Sequence, residues 1–169
     1  YDKDIIGKIA DHAGLSPEYV QESSELSPRK GLFAYAFTGR DATGKSMGDI
    51  VYEAQRKVIL DIAEKESCVI IGRCADYVLD GTEGLIRVFL YADIKVREER
   101  VRERNLYADK DVLKNIHRID RERRDYNRYY AGRDWEKPEN YDLLINTTQI
   151  GVDGAVQLIK DYLKMRGLL

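Results

Sequence analysis

Cys68-Val69-Ile70-Ile71-Gly72-Arg73 constrains the fold of this chain more than any other stretch. A short, continuous, largely β-branched run reads as a strand buried on both faces, the habit of a parallel sheet. Gly72 lets the backbone turn without a Cβ clash, and helix-compatible sequence (Ala75-Asp76-Tyr77-Val78-Leu79) follows at once. In open α/β sheets, ligands bind in the crevice at the carboxyl ends of the strands. Arg73 stands at that point. The alternative here is a plain Gly-Arg turn with a solvated arginine.

The rest of the chain alternates in the way that reading needs. Ile5, Ile6 and Ile9 fall at helical spacing with Gly14 as a stop, and Ser16-Pro17 opens a second helix as N-cap and first helical residue. Residues 23–30 read as loop, and Leu32-Phe33-Ala34-Tyr35-Ala36-Phe37 as a short strand or a helix. A helix is expected from Asp49 through Ile62. Leu85–Tyr91 reads as a strand, followed by an arginine-rich helix from Lys95 to Asn105 capped by Asp93. Asp109 caps a longer helix to about Tyr130. Tyr141–Thr148 reads as the last strand, with Thr147 and Thr148 at its end. The final helix, 152–165, is expected to turn Val152, Val156, Ile159 and Leu163 inward. Strands alternating with helices predict βαβ units and a parallel sheet.

Length and composition narrow the class. With 169 residues, one domain with a proper core is expected. A net charge of −2 gives no global field for nucleic acid or membranes. Two cysteines, Cys68 and Cys74, are too few for a disulfide scaffold or a four-cysteine zinc site, so no metal site is assigned. No membrane span or signal peptide is visible, and a cytoplasmic location is expected. The chain opens with Tyr1, not Met, which points to processing or to residues missing before it.

The predicted helix 109–130 carries the second strong signal. At 100° per residue, Val112, Ile116, Ile119, Tyr126 and Tyr130 fall on one side. Arg118, Arg121, Arg124, Asp125 and Arg128 gather opposite, within an arc of roughly 120°. A solvated face stitched by pairs such as Arg121 with Asp125 is one account. Lysine would serve such a face equally well, yet four of these five residues are arginine, whose fork binds phosphate in a way lysine cannot copy. Several arginines converging near Arg73 make a site for a polyanion such as a phosphoryl-transfer transition state. Asp125 then either orients guanidiniums or accepts a hydrogen bond from a substrate hydroxyl or amine. No proton transfer is assigned to it, because a phosphate nucleophile is already anionic.

Gly39-Arg40-Asp41-Ala42-Thr43-Gly44-Lys45-Ser46 matches G-x-x-x-x-G-K-[ST] letter for letter. In a P-loop, backbone N–H groups wrap phosphates, the lysine reaches the β and γ phosphates, and the hydroxyl binds Mg²⁺. A helix follows as it should, but what precedes is not a buried β-branched run. The other reading is a glycine-rich surface loop.

Taken together, Cys68–Arg73, Phe89-Leu90-Tyr91-Ala92 with Arg97 and Arg100, and Arg121 with Arg124-Asp125-Tyr126-Asn127-Arg128 resemble cytidylate kinases. Gly72-Arg73-Cys74-Ala75-Asp76 and Asn140-Tyr141-Asp142-Leu143 are similar to the cytidylate kinase-like branch. The resemblance runs to about Leu163. It implies an α/β, three-layer P-loop NTPase fold of the nucleoside monophosphate kinase kind, a single domain over 1–169, with a helical lid at roughly 105–133. It implies transfer of the γ-phosphoryl of ATP to a nucleoside monophosphate of the CMP or dCMP type, with Mg²⁺. Arg73, Asp76, Arg121, Asp125 and Arg128 would hold the acceptor. Arg121, Arg124 and Arg128 would act on the transferring group, and Arg97, Arg100 and Arg118 would serve the lid and the ATP phosphates. Cys74 replaces the aspartate that helps read cytosine in the family, with Asp76 two residues on. The family's P-loop lies between the first strand and first helix, and Tyr1-Asp2-Lys3-Asp4 resembles the segment just after that helix. The chain is therefore expected to begin past that loop, and Gly39–Ser46 falls in the acceptor-side insertion.

Two other function classes fit the same residues. One is a non-catalytic nucleotide-binding or regulatory protein of kinase ancestry. The other is RNA binding through 97–128, against which Glu98, Glu99, Glu103, Glu122 and Asp125 dilute the basic field. Oligomeric state is not legible.

Overall fold

The computed structural model describes residues 1–2, 4–23, 44–105 and 107–169. The possible strand or helix at 32–37 and the first half of the G-x-x-x-x-G-K-S motif lie outside the described residues. The chain divides into two compact units: Tyr1–Thr82 with Arg121–Trp135, and Glu83–Asp120 with Glu136–Leu169.

The first unit is helical. Helix α1 (Ile5–Ala13) buries Ile5, Ile6, Ile9 and Ala10 and ends at Gly14, whose positive φ of 66° closes it onto the Ala10 carbonyl. Helix α2 (Pro17–Ser23) starts as its sequence dictates, with Ser16 Oγ accepting from Tyr19 N at 3.3 Å. Helix α3 (Met47–Lys65) packs along α1 and buries Val51, Ala54, Gln55, Val58, Ile59 and Ile62. Each fully buried isoleucine here contributes about 1.5–3 kcal/mol.

Residues 68–71 depart from expectation. They are extended, but Val69 is 76% and Ile71 56% exposed. Their backbone meets Tyr1, with Tyr1 N donating to the Val69 carbonyl and Ile71 N to the Tyr1 carbonyl. That is one rung of a parallel ladder. Among the described residues nothing extends it, so the run is not the doubly buried strand that its composition predicts. The short helix α4 (Ala75–Val78) follows.

The second unit holds a small parallel sheet. Strand β1 (Val88–Tyr91) pairs with β2 (Leu143–Asn146) in the register Val88↔Leu143 to Tyr91↔Asn146. Both strands are shorter than expected. The pair is locked at its entry by Asp142, which accepts from Arg87 N at 2.7 Å and Arg87 Nε at 3.3 Å. Burial pushes the Asp142 carboxyl up, but the bonds from Arg87 outweigh it and hold the group below the usual carboxylate range. Helix α5 (Ile94–Glu103) follows β1. A 3₁₀ turn at Asp109–Asp111 leads into α6 (Val112–Ala131), so Asp109 lies in that turn and does not cap the helix. Val112, Ile116 and Tyr126 are buried as the helical spacing predicts.

Helix α7 (Thr147–Met165) begins earlier than expected and is kinked at Gly151, where φ is 65° and ψ −166°. The kink changes the helix's phase. Val152 and Val156 are exposed, against expectation, Ile159 and Leu163 are half-buried, and beyond the kink Ala155 is the buried residue. Gly154 is required there, because a Cβ would lie 2.7 Å from Ile150 Cβ. The whole is a mixed α/β arrangement of many helices and a small parallel sheet. Among the described residues, no helix is long and apolar enough to cross a membrane.

Candidate functional site

The turn after 68–71 is wound left-handed three times in succession: φ is 69° at Gly72, 59° at Arg73 and 53° at Cys74. Glycine adopts this freely, but for Arg73 and Cys74 it costs about 1–2 kcal/mol each. Such strain persists where the surroundings over-determine it. Here Ala75 N bonds the Gly72 carbonyl at 3.0 Å and Val78 N the Cys74 carbonyl at 2.9 Å. Gln55 Nε2, from α3, donates to the Arg73 carbonyl at 3.0 Å.

The Arg73 side chain is 5% exposed, which rules out the solvated arginine of the simpler reading. Its Nη2 donates to the Asp2 carbonyl at 3.3 Å. Nε and Nη1 are buried and have no hydrogen-bond partner among the described residues. A guanidinium buried with two nitrogens unsatisfied is costly, and each such group calls for an explanation.

The second half of α6 is fastened to this turn. Gln55 Nε2 also donates to the Tyr126 hydroxyl at 3.0 Å, and Cys74 Sγ donates to Asn127 Oδ1 at 3.4 Å. Asn127 Nδ2 in turn bonds the Arg123 carbonyl at 3.0 Å. Tyr52 stacks on Tyr130 with ring centroids 4.0 Å apart, and Tyr126 packs against both. Burial, and then the neighbouring Cys74 thiol, pushes the Tyr52 phenol up to about 12 and Tyr126 well above its ordinary value. The Cys74 thiol is likewise pushed up to about 12, by burial first and Asp76 second. It is a protonated packing group.

Around this anchor the expected arginines take different places. Arg121 is exposed and makes no ion pair among the described residues, while Arg124 and Asp125 are half-buried. Arg128 is exposed and bonds Asp134 at 2.8 Å. Beyond the end of the helix, Trp135 has its ring centroid 5.8 Å from the Arg123 guanidinium.

Asp76, expected to help read the base, pairs with Arg133, which also lies over the Tyr77 ring. Both partners are about four-fifths buried, so the pair braces α4 against the loop after α6. The described half of the G-x-x-x-x-G-K-S motif is a helix start. Gly44 has φ 81°, and Lys45 pairs with Glu53 at 2.6 Å. Ser46 is the N-cap of α3, with Ser46 Oγ and Asp49 closing a capping box. Gly39 lies outside the described residues. Lys45 and Ser46 are thus committed to local partners. An adjoining groove of about 690 Å³ is lined by Lys45, Arg56 and Lys57 but also by Asp49 and Glu53, so it is not an anion hollow in its own right.

In the second unit, the arginines expected at the ATP phosphates are also engaged. Arg97 forks onto Asp120 at 2.8 and 2.7 Å, and that bond raises its already high pKa. Arg100 donates to Thr147 Oγ1 at 2.8 Å and to the Thr147 carbonyl at 3.0 Å. Arg118 Nε and Nη2 both donate to Asn115 Oδ1, each at 3.3 Å. Thr147 and Thr148 start α7, where Thr148 Oγ1 accepts from Asp93 N at 2.8 Å.

Sequence reasoning missed Gln55, Asn127, Arg133 and the Tyr126 hydroxyl. Gln55 left one signal: an amide set four residues from both Val51 and Ile59 on the buried face of α3.

The sequence matches the model of the cytidylate kinase-like family over residues 1–149. It is 28% identical over 156 residues to the cytidylate kinase of Pyrococcus horikoshii, covering 90% of this chain and 77% of that one. Identity to the cytidylate kinase of Thermococcus kodakarensis is 31% over 168 residues, covering 96% and 74%. Among solved structures, an uncharacterized protein from Eubacterium ventriosum matches with a TM-score of 0.66 and 26% identity, over 95% of this chain and 90% of that chain.

Proposed function

The chain belongs to the cytidylate kinase-like family, and from that premise we propose that it transfers the γ-phosphoryl of ATP to a nucleoside monophosphate of the CMP or dCMP type. In this reading its two units are parts of one three-layer P-loop NTPase domain, with the lid at roughly 105–133.

The observation that carries the proposal is the Arg73 guanidinium, buried with Nε and Nη1 unsatisfied among the described residues. An acceptor phosphate supplies the missing anion and acceptor oxygens together. Arg121, Arg124 and Arg128 project from the helix fastened to that turn and neutralise charge on the transferring group. Arg128 is available for this because its exposed pair with Asp134 contributes little and exchanges readily. Asp125 orients these guanidiniums or accepts from the ribose. The reacting oxygen of the acceptor is already anionic, so no side chain need remove a proton.

The family implies Mg²⁺ alongside ATP. Among the described residues no group of three His, Cys, Asp or Glu could hold a metal, and Ser46 Oγ, the hydroxyl that the motif would offer, is bonded to Asp49. No step is assigned through the ion. The local engagement of Lys45 by Glu53 and of Ser46 by Asp49 favours, as a second reading, a nucleotide-binding or regulatory protein of kinase ancestry.

Thermal unfolding with CMP, dCMP, UMP, AMP and inorganic phosphate tests the acceptor site. A ligand at 100 times its dissociation constant adds about 2.7 kcal/mol of stability. The expected result is a shift with a cytidine monophosphate that Arg73→Met abolishes. No shift with any monophosphate refutes the reading. ADP formation from ATP and CMP separates the enzyme from the regulatory protein.

A further inference from the structure

We infer that Gln55 is a positioning residue, whose side-chain amide sets the Arg73 turn against the helix that carries Arg121, Arg124 and Arg128. The inference deepens the acceptor-site reading and rests on it.

Gln55 is fully buried in the middle of α3, on the face that also buries Val51, Val58 and Ile59. An apolar side chain would satisfy that face at lower cost, because a buried amide must find partners for both its ends. Gln55 does not. Its Oε1 is buried without a partner among the described residues. What it does is done by Nε2 alone, which reaches the Arg73 carbonyl and the Tyr126 hydroxyl, each at 3.0 Å. The Arg73 carbonyl also fixes the amide's orientation, since a flipped amide would set two acceptor oxygens face to face.

The two partners belong to different segments. The Arg73 carbonyl is the middle of the left-handed run 72–74, which local sequence alone would not hold. Tyr126 is a buried residue of α6, on the same helix as Arg124 and Arg128, two residues away on either side, and Arg121, five residues before it. One nitrogen therefore bridges the backbone that aims Arg73 and the helix that presents the other arginines. Cys74 Sγ to Asn127 Oδ1, at 3.4 Å, makes a second and weaker tie between the same segments. Gln55 touches no substrate in this scheme. It acts through Arg73.

Gln55→Met keeps the length and removes both hydrogen bonds. The expected result is a KM for CMP raised at least tenfold, with the KM for ATP changed less than twofold. Peptide-resolved hydrogen exchange over 72–78 should quicken in the same variant while that over 56–62 does not. An unchanged KM for CMP, or equal rises in both KM values, overturns the inference. So does unchanged exchange over 72–78, whether or not any nucleotide binds. Failure of the wild-type chain to bind any monophosphate removes the acceptor reading, and the exchange measurement then decides the positioning role by itself. If Gln55→Met does not fold, Tyr126→Phe frees the amide to pivot, and the same readouts should move in the same direction by a smaller factor. Wild-type behaviour of Tyr126→Phe in both then overturns it.

Discussion

Arg97 grips Asp120 with both ends of its guanidinium fork, at 2.8 and 2.7 Å, and Asp120 is only 8% exposed. The pair is built like a phosphate clamp but is filled by a residue of the chain itself. Arg97→Met leaves a buried carboxylate without its cation. The expected loss is about 3 kcal/mol, the low end for a broken buried pair, because Arg97 itself is one-third exposed. Arg97→Lys should recover only part of this, since an ammonium cannot bond both oxygens in one plane. Urea unfolding measures both, and the CMP affinity of either variant should stay near that of wild type.

Arg73 predicts the opposite balance. Removing a buried charge that, among the described residues, has no counter-charge and only one of its nitrogens bonded costs a fold little and often helps it. Arg73→Met should therefore leave unliganded stability unchanged or raise it by about 1 kcal/mol, while the stabilisation by CMP disappears. Differential scanning calorimetry with and without nucleotide reads both at once. A large loss of stability without ligand would mean that the guanidinium is a structural strut.

Ser46 separates two accounts of one motif. As the cap of α3, Ser46→Ala should cost about 1 kcal/mol and leave kcat unaltered once the folded fraction is allowed for. As a phosphate or metal ligand, its loss would lower kcat by orders of magnitude. Steady-state kinetics alongside a thermal melt decides between them.

Cys74, Tyr52 and Tyr126 all bind their protons more tightly in the folded chain, Cys74 and Tyr52 with values of about 12 against ordinary values of 9.0 and 10.0. Above the ordinary value the unfolded chain gives up a proton that the folded chain keeps. The stabilisation is thus fully present below about pH 9 and is lost from there towards pH 12, with a slope of about 1.4 kcal/mol per pH unit for a single group. Cys74→Ala should make the fall shallower between pH 9 and 10, where the thiol alone contributes. At pH 8, iodoacetamide should label the half-buried Cys68 before Cys74.

Much of this was legible in the sequence wherever local rules act. Gly14 ends α1, Ser16-Pro17 starts α2, and the spacing of Val112, Ile116 and Tyr126 marks the buried face of α6, because capping and periodicity need only near neighbours. The pairing of strands is a property of partners, and the composition of Cys68–Ile71 could not reveal that Val69 and Ile71 would stand exposed. The arginines show the same division. Their type and spacing are visible in the sequence, yet that Arg97 would grip Asp120 and Arg100 would bond Thr147 depended on contacts between distant segments. Nor could periodicity show Asp76 closing onto Arg133. Gln55 was hidden because helix patterns score a lone polar residue on an apolar face as noise.

Trp135 is the sole tryptophan of the chain, and the cation of Arg123 lies within 6 Å of its ring centroid, at 5.8 Å. Indole emission responds to charge at that range, so the unlabelled protein carries its own fluorophore beyond the end of the arginine-bearing helix. Any ligand that re-draws the last turns of that helix changes the light from this single residue, and occupancy becomes readable without a dye, a tag or a coupled assay.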